Sequence, residues 1–170
     1  MKTKVILTLC VVFGLGLVGV ANAQTTLIAG SPEDRAYTAA MSATTNDSKI
    51  ALLLDFEKQF PTSKALPDIY VALIGAYVQN NDKAKIDEVG ERAIKADPEN
   101  FMALMAVSRN YAIEKKNLDR AVQYAQRAVD VLAKKKGEAR YKEDEAWKAY
   151  LDSTENAAKQ NLAYAKSMKP

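Results

Sequence analysis

The sequence predicts an all-α protein: an α-solenoid of about three helical hairpins followed by a long C-terminal capping helix. Residues 70–77 (YVALIGAY) recur 34 residues later as residues 104–111 (LMAVSRNY), with a polar break between the two units. Apolar side chains within each unit follow one another every three or four positions, which is the period of an amphipathic helix. A short hairpin cannot bury its apolar face alone, so this fixed period predicts hairpins stacked side by side.

The first 23 residues have the pattern of a secretory signal peptide. Lys2 and Lys4 precede an apolar run over residues 5–20, and the segment ends in Ala-Asn-Ala before Gln24. The run is shorter than the roughly 20 apolar residues of a membrane-spanning helix. We therefore expect cleavage and export to the periplasm or the cell exterior. The alternative is a segment that is kept as a membrane anchor, which would be the chain's only membrane contact.

Composition and charge exclude several classes of function. The chain has 24 Lys and Arg against 21 Asp and Glu, for a net charge of +3, and cleavage would remove Lys2 and Lys4. The remaining mixed charges give no electrostatic indication of nucleic-acid binding. There is no His, and the one Cys, Cys10, lies in the signal peptide. We therefore predict no enzyme activity, no cofactor and no metal in the exported chain.

The first hairpin follows a polar leader, residues 24–32, which we expect to be flexible. Ser31 and Pro32 form a helix start, with a hydroxyl N-cap and a proline in the first turn. The pattern predicts a helix over about 33–44, a polar break at 45–48 and a second helix that ends at Phe60.

The second and third hairpins repeat this scheme. One runs from about Pro67 to Ala96, with a break at residues 80–82, and ends before Pro98, which disfavours helical geometry in the preceding residue. The other runs from Phe101 to Lys136, with a turn at residues 115–117 and cations in its last turn. The repeat region is thus residues 33–136.

The C-terminal segment, residues 137–170, is predicted to cap the stack. Residues 139–168 contain neither proline nor glycine, and their apolar side chains form one stripe at helical spacing. We expect one continuous helix. The members of the stripe are Trp147, Leu151, Thr154, Ala158, Leu162, Ala165 and Met168.

These patterns resemble tetratricopeptide (TPR) repeats of exported bacterial proteins, over nearly all of residues 33–135. In that family the first helix carries a large residue, an apolar–small pair and a Tyr, and the second carries spaced small residues and a final Pro. The matching positions are Tyr70, Leu73, Ile74, Tyr77, Ile86, Gly90, Ala93 and Pro98, then Leu104, Val107, Ser108, Tyr111, Ala121, Ala125 and Ala128. The third hairpin lacks the final Pro, and residues 33–61 resemble a weaker first repeat.

The resemblance implies a peptide-binding groove lined by the first helix of each hairpin. The groove positions in the second hairpin are Asp68, Val71, Gly75, Val78 and Gln79, and those in the third are Met102, Met105, Arg109, Ala112 and Ile113. They lack the Lys and Asn with which one TPR subclass holds a C-terminal carboxylate. We predict a binding scaffold that recognises an apolar peptide or protein partner.

The sequence also allows two other interpretations, one enzymatic and one structural. Tyr111 and Lys115 match the Tyr-x-x-x-Lys pair of short-chain dehydrogenases, but no glycine-rich phosphate loop accompanies them, and Tyr111 is a packing position of the repeat. The alternative function is structural: the chain would form a homodimer through the C-terminal helix, with Trp147 and Tyr150 as anchors.

Overall fold

The computed structural model describes residues 27–170, and over that range it contains eight α-helices and no β-strand. The predicted all-α class is confirmed. The predicted signal peptide and the first residues of the predicted leader lie outside the described range. The helices are α1 (Pro32–Ser42), α2 (Asn46–Gln59), α3 (Leu66–Gln79), α4 (Lys83–Ala96), α5 (Phe101–Ile113), α6 (Leu118–Lys136), α7 (Ala139–Glu143) and α8 (Glu145–Ser167).

The first helices begin where side-chain oxygens cap free backbone N–H groups. The Ser31 hydroxyl accepts a hydrogen bond from the N–H of Asp34 at 3.1 Å, and the Thr45 hydroxyl accepts one from the N–H of Ser48 at 3.3 Å. Such caps satisfy donors that have no partner inside the helix. The described part of the leader contacts the fold, since Leu27 packs against the core.

The turns within the second and third hairpins reverse the chain with residues in the left-handed conformation. Asn81 has φ of 53°, and Lys115 and Asn117 have φ of 52° and 48°. Asn tolerates this region better than most residues because its short polar side chain can hydrogen-bond locally. Asp82 then caps α4 by accepting from the N–H of Lys85. Both predicted breaks are confirmed.

The prediction of one continuous C-terminal helix was wrong at Asp144. This residue is extended, with φ of −116° and ψ of 98°, and it separates α7 from α8. Its carboxylate accepts a hydrogen bond from the N–H of Trp147 at 2.9 Å. Asp favours an N-cap over a helix interior because its side chain competes for backbone N–H groups. The break therefore needs neither proline nor glycine.

The helices pack mainly against their neighbours along the chain. Each of α1 to α5 contacts the next helix, and α6 packs against α8. α5 also touches α3, and α8 also touches α5, in each case less extensively than it touches the second helix of that pair. α8 therefore packs on the α5–α6 hairpin in the same way as α5 packs on the α3–α4 hairpin. One apolar core runs through these contacts, from Ala40 in α1 to Ala165 in α8.

Candidate functional site

The positions that the TPR resemblance assigns to helix packing lie inside the protein. In α3 and α4 the buried residues include Tyr70, Leu73, Ile74, Tyr77, Ile86, Gly90 and Ala93. In α5 and α6 they include Leu104, Val107, Ser108, Tyr111, Ala121, Ala125 and Ala128. The assigned groove positions are therefore on the remaining faces of α3 and α5.

Gly90 shows why small residues are needed where α4 meets α5. A Cβ atom at this position would lie less than 3.0 Å from Cγ2 of Val107 and 3.6 Å from its Cβ. Carbon atoms normally pack at about 3.5–4.0 Å, so a methyl group does not fit unless one of the helices shifts. This close approach holds the third hairpin against the second.

Tyrosine–carboxylate bonds also join consecutive hairpins, and the sequence pattern did not reveal them. The Tyr70 hydroxyl of α3 donates to Glu57 of α2 at 2.9 Å, and the Tyr111 hydroxyl of α5 donates to Glu91 of α4 at 2.7 Å. Burial, followed by the hydrogen bond to Glu57, raises the pKa of Tyr70 to about 12. Burial and Glu91 likewise raise the pKa of Tyr111 above its ordinary value. Both hydroxyls thus stay protonated and serve packing.

The α3 stripe, defined as Asp68, Val71, Gly75, Val78 and Gln79, runs along one side of α3. Asp68 and Val71 are half-buried, and Val78 and Gln79 are exposed. A Cβ atom added to Gly75 would meet no other atom within 4 Å. The stripe is therefore open at its centre and at the C-terminal end of the helix.

Asp68 is a half-buried carboxylate in the first turn of α3. Burial raises its pKa above the usual value. The negative charge of Asp68 in turn contributes, after burial, to a raised pKa of Tyr37 in α1. No ion pair or side-chain hydrogen bond of Asp68 is present among residues 27–170. Its charge therefore faces a partly desolvated space beside α1 and α3.

The α5 stripe, defined as Met102, Met105, Arg109, Ala112 and Ile113, is partly covered by α8. The hydroxyl of Tyr150 lies 3.6 Å from Sδ of Met102, and the Asn161 amide donates to the backbone carbonyl of Met105 at 3.0 Å. The Arg109 guanidinium lies 5.8 Å from the centre of the Tyr164 ring. Ala112 is buried and Ile113 is exposed. Met102, Met105 and Arg109 are thus half-buried, and the most exposed groove position on α5 is Ile113 at its C-terminal end.

Exposed large apolar side chains coincide with two predicted groove positions. Within the described range they are Ile28, Leu54, Val78 and Ile113. Val78 is 40% exposed and Ile113 is 42% exposed, at the ends of α3 and α5. Leu54 on α2 is 38% exposed and gives a matched reference outside the stripes. A cleft of about 570 Å³ beside Ile28 and Phe60 also lies outside the stripes.

Trp147 and Tyr150, the anchors of the predicted dimer, pack against other residues of the same chain. Trp147 is buried, with the Arg140 guanidinium 4.4 Å from the centre of its ring and the Tyr150 ring stacked on it at 5.4 Å. Tyr150 is half-buried against Phe101 and Met102. Neither side chain is presented as an exposed apolar anchor on α8.

Charged groups that could suggest chemistry are engaged in the fold. Asp144 caps α8, and Lys136 pairs with Asp152 at 2.8 Å and with Glu155 at 2.6 Å. Lys134 pairs with Glu99 at 2.6 Å. Among residues 27–170 no group of three or more acidic, His or Cys side chains is arranged to hold a metal ion.

Comparison of the chain with protein-family models, curated proteins and solved structures gives no match in any of the three. The TPR resemblance therefore remains a prediction that rests on the residue pattern. Over the described residues, no helix combines the length and the apolar character that crossing a membrane requires.

Proposed function

We propose that this protein is a non-enzymatic scaffold in which TPR-like hairpins stack into an α-solenoid and bind a protein or peptide partner. Two observations support the stack. The packing positions of both matching repeats are buried, and the helices contact mainly their neighbours along the chain. In a stacked repeat each unit contacts only adjacent units, which gives this pattern.

The proposed binding surface, called the docking face below, consists of the α3 stripe and of the α5 stripe without its buried Ala112. The observation that carries it is the exposure of Val78 and Ile113, because both are large apolar residues at assigned groove positions. Covering such side chains releases free energy at roughly 25 cal/mol per Å² of apolar area, less the cost of ordering the partner. Met102 and Met105 add adaptable apolar surface at the edge that α8 leaves accessible.

We further propose that α8 acts as the terminal helix of the stack. It packs on α6 and α5 as a further first helix would, and its contacts with Met102, Met105 and Arg109 fix the width of the docking face at this end. A partner would then contact the α3 stripe and the C-terminal end of α5 more fully than the start of α5.

The predicted export places the partner in the cell envelope or outside the cell. Site-specific photo-crosslinking in cells tests the proposal, with a photoreactive residue at position 78, 113 or 54. We expect one shared partner at positions 78 and 113 and none at position 54, because Leu54 lies on α2 outside the docking face. Its exposure is similar to that of Val78 and Ile113, so it serves as the control.

The same experiment is repeated with Val78→Asp and with Ile113→Asp, substitutions that should disrupt the apolar contact with the partner. Each should abolish the crosslink made from the other position and leave the helical circular dichroism unchanged, since both side chains already contact water. Equal crosslinking at all three positions, or crosslinks that survive both substitutions, would contradict the docking face.

A further inference from the structure

The α3 stripe contains two features that the fold itself does not require, and both bear on what the docking face binds. One is the carboxylate of Asp68 and the other is the missing side chain of Gly75. The inference drawn from them rests on the proposed function and specifies the chemistry of the partner.

Asp68 differs from three other half-buried carboxylates of the fold, each of which has a cation beside it. Glu57 pairs with Arg92 at 2.6 Å, Asp87 with Lys116, and Glu155 with Lys136 at 2.6 Å. In the described range Asp68 has no such pair, although it is half-buried. A carboxylate that is removed from water without a cation is unfavourable, so a cation supplied from outside would be bound favourably.

The helix dipole does not compensate for the missing cation beside Asp68. A carboxylate in the first turn is stabilised by the positive end of the helix dipole, which favours the charged form and lowers the pKa. The pKa of Asp68 is raised instead, because burial disfavours the charge and no cation within the described residues compensates. The carboxylate is therefore incompletely satisfied in the free protein.

Gly75 is a glycine in the middle of a helix with open space beside it. Glycine is the poorest helix former after proline, so it usually needs a packing reason. Gly90 has such a reason in the close approach of Val107, whereas a Cβ at Gly75 would meet nothing within 4 Å. Its lack of a side chain leaves a gap in the stripe between Asp68 and Val78. Another chain can approach the α3 backbone closely there.

We propose that the docking face binds an extended peptide segment whose Lys or Arg pairs with Asp68. The segment runs along α3, passes over Gly75 and places an apolar side chain on Val78. Asp68 and Val78 are ten residues apart on α3, which corresponds to about 15 Å along the helix axis. An extended chain covers that length in about four to five residues. The basic and the apolar residue of the peptide should therefore be separated by that spacing.

The test uses the protein purified after expression and export of the full chain. A display library of randomised 12-residue peptides is selected on it, and the enriched sequences are synthesised and titrated by calorimetry. Each peptide is also made with its Lys or Arg replaced by Gln. The protein variants are Asp68→Asn and Gly75→Ala, with Asp130→Asn as the control, because Asp130 is an exposed carboxylate on α6.

We expect enriched peptides that combine one Lys or Arg with an apolar residue four to five positions away. Asp68→Asn should weaken them about tenfold, and so should the Gln replacement in the peptide, with no further loss when the two are combined. Gly75→Ala should weaken binding while raising the melting temperature, an outcome that a merely structural role for Gly75 would not give. Asp130→Asn should change nothing.

Two other outcomes would overturn the inference, and they differ in what they say about the proposed function. Peptides that need Val78 and Ile113 but show no basic residue and no response to Asp68→Asn would refute the cation site and leave the docking face standing. A selection with no peptide that depends on Val78 or Ile113 would refute the docking face, and the cation site with it.

Discussion

The contact between Gly90 and Val107 gives a sharp prediction about how the hairpins pack. Gly90→Ala adds one methyl group to α4 at a point where it would lie less than 3.0 Å from Cγ2 of Val107. Carbon atoms pack at about 3.5–4.0 Å, so the two helices must separate by at least roughly half an ångström or Val107 must leave its rotamer. Val has one strongly preferred rotamer in a helix, so neither change is easy.

The magnitude follows from two opposing contributions. Overpacking a core costs about 1–3 kcal/mol, and replacing Gly by Ala in a helix gains about 1 kcal/mol. Because a stiff side chain is displaced, we expect a net loss of about 1–2 kcal/mol. For a domain of this size that lowers the melting temperature by about 3–8 °C. Gly75→Ala, which meets no atom within 4 Å, should instead stabilise the protein by up to about 1 kcal/mol.

Thermal and urea unfolding followed by circular dichroism measures both changes, and a double variant tests the cause. Val107→Ala alone should cost about 2 kcal/mol by leaving a cavity. In the Gly90→Ala/Val107→Ala variant the new methyl enters that cavity, so the two losses should fall short of additivity by at least about 1 kcal/mol. The reasoning fails if Gly90→Ala is as stable as the parent, or if both glycine variants lose stability equally.

Three further predictions concern the contacts that join the helices. Tyr70 and Tyr111 should titrate last among the tyrosines by absorbance at 295 nm, because burial and a carboxylate partner raise the pKa of both. The folded pKa of Tyr70 is about 12 and exceeds the unfolded value of 10.0, so its stabilisation is present below pH 10 and lost as the pH rises towards 12; Tyr70→Phe should remove its share of that alkaline loss. Lys136 lowers the pKa values of Asp152 and Glu155. The stabilisation from these ion pairs is therefore present above the ordinary carboxyl pKa and lost as the pH falls through the lowered values. Hydrogen exchange in α8 should rise in acid, and it should rise less in Lys136→Met, which lacks both ion pairs at every pH. Asn161→Ala, which removes a buried amide donor to α5, should destabilise the protein by about 1–3 kcal/mol and speed proteolysis of α8; unchanged resistance would contradict the role of Asn161.

Helix starts and turns could be predicted from the sequence because local chemistry determines them. Ser31 and Thr45 cap their helices through neighbouring N–H groups, and Asn81 supplies the left-handed turn of the second hairpin. The same holds for the buried side of each helix, since the spacing of apolar residues identifies it without reference to any other element. The absence of proline and glycine from this segment predicts a continuous helix, and the break at Asp144 is indicated only by the N-cap tendency of Asp.

What covers an exposed side of a helix could not be predicted, because periodicity does not say which distant segment packs there. Met102, Met105 and Arg109 were assigned to the groove by their positions in α5, and their contacts with α8 come from residues about 50 positions further along the chain. Asn161, a buried polar residue inside an apolar stripe, gave no periodic signal. Its partners become apparent only when α8 lies against α5.

The most direct test of the docking face is a methyl NMR titration of the protein with a peptide enriched in the selection. Val78, Ile113 and Leu54 have similar exposure, so their methyl signals respond to contact and not to differences in access to solvent. We predict saturable shifts of the Val78 and Ile113 methyl signals, with the same dissociation constant as calorimetry gives, and an unchanged Leu54 signal. Saturable binding that shifts Leu54 and leaves Val78 and Ile113 unmoved would contradict the account.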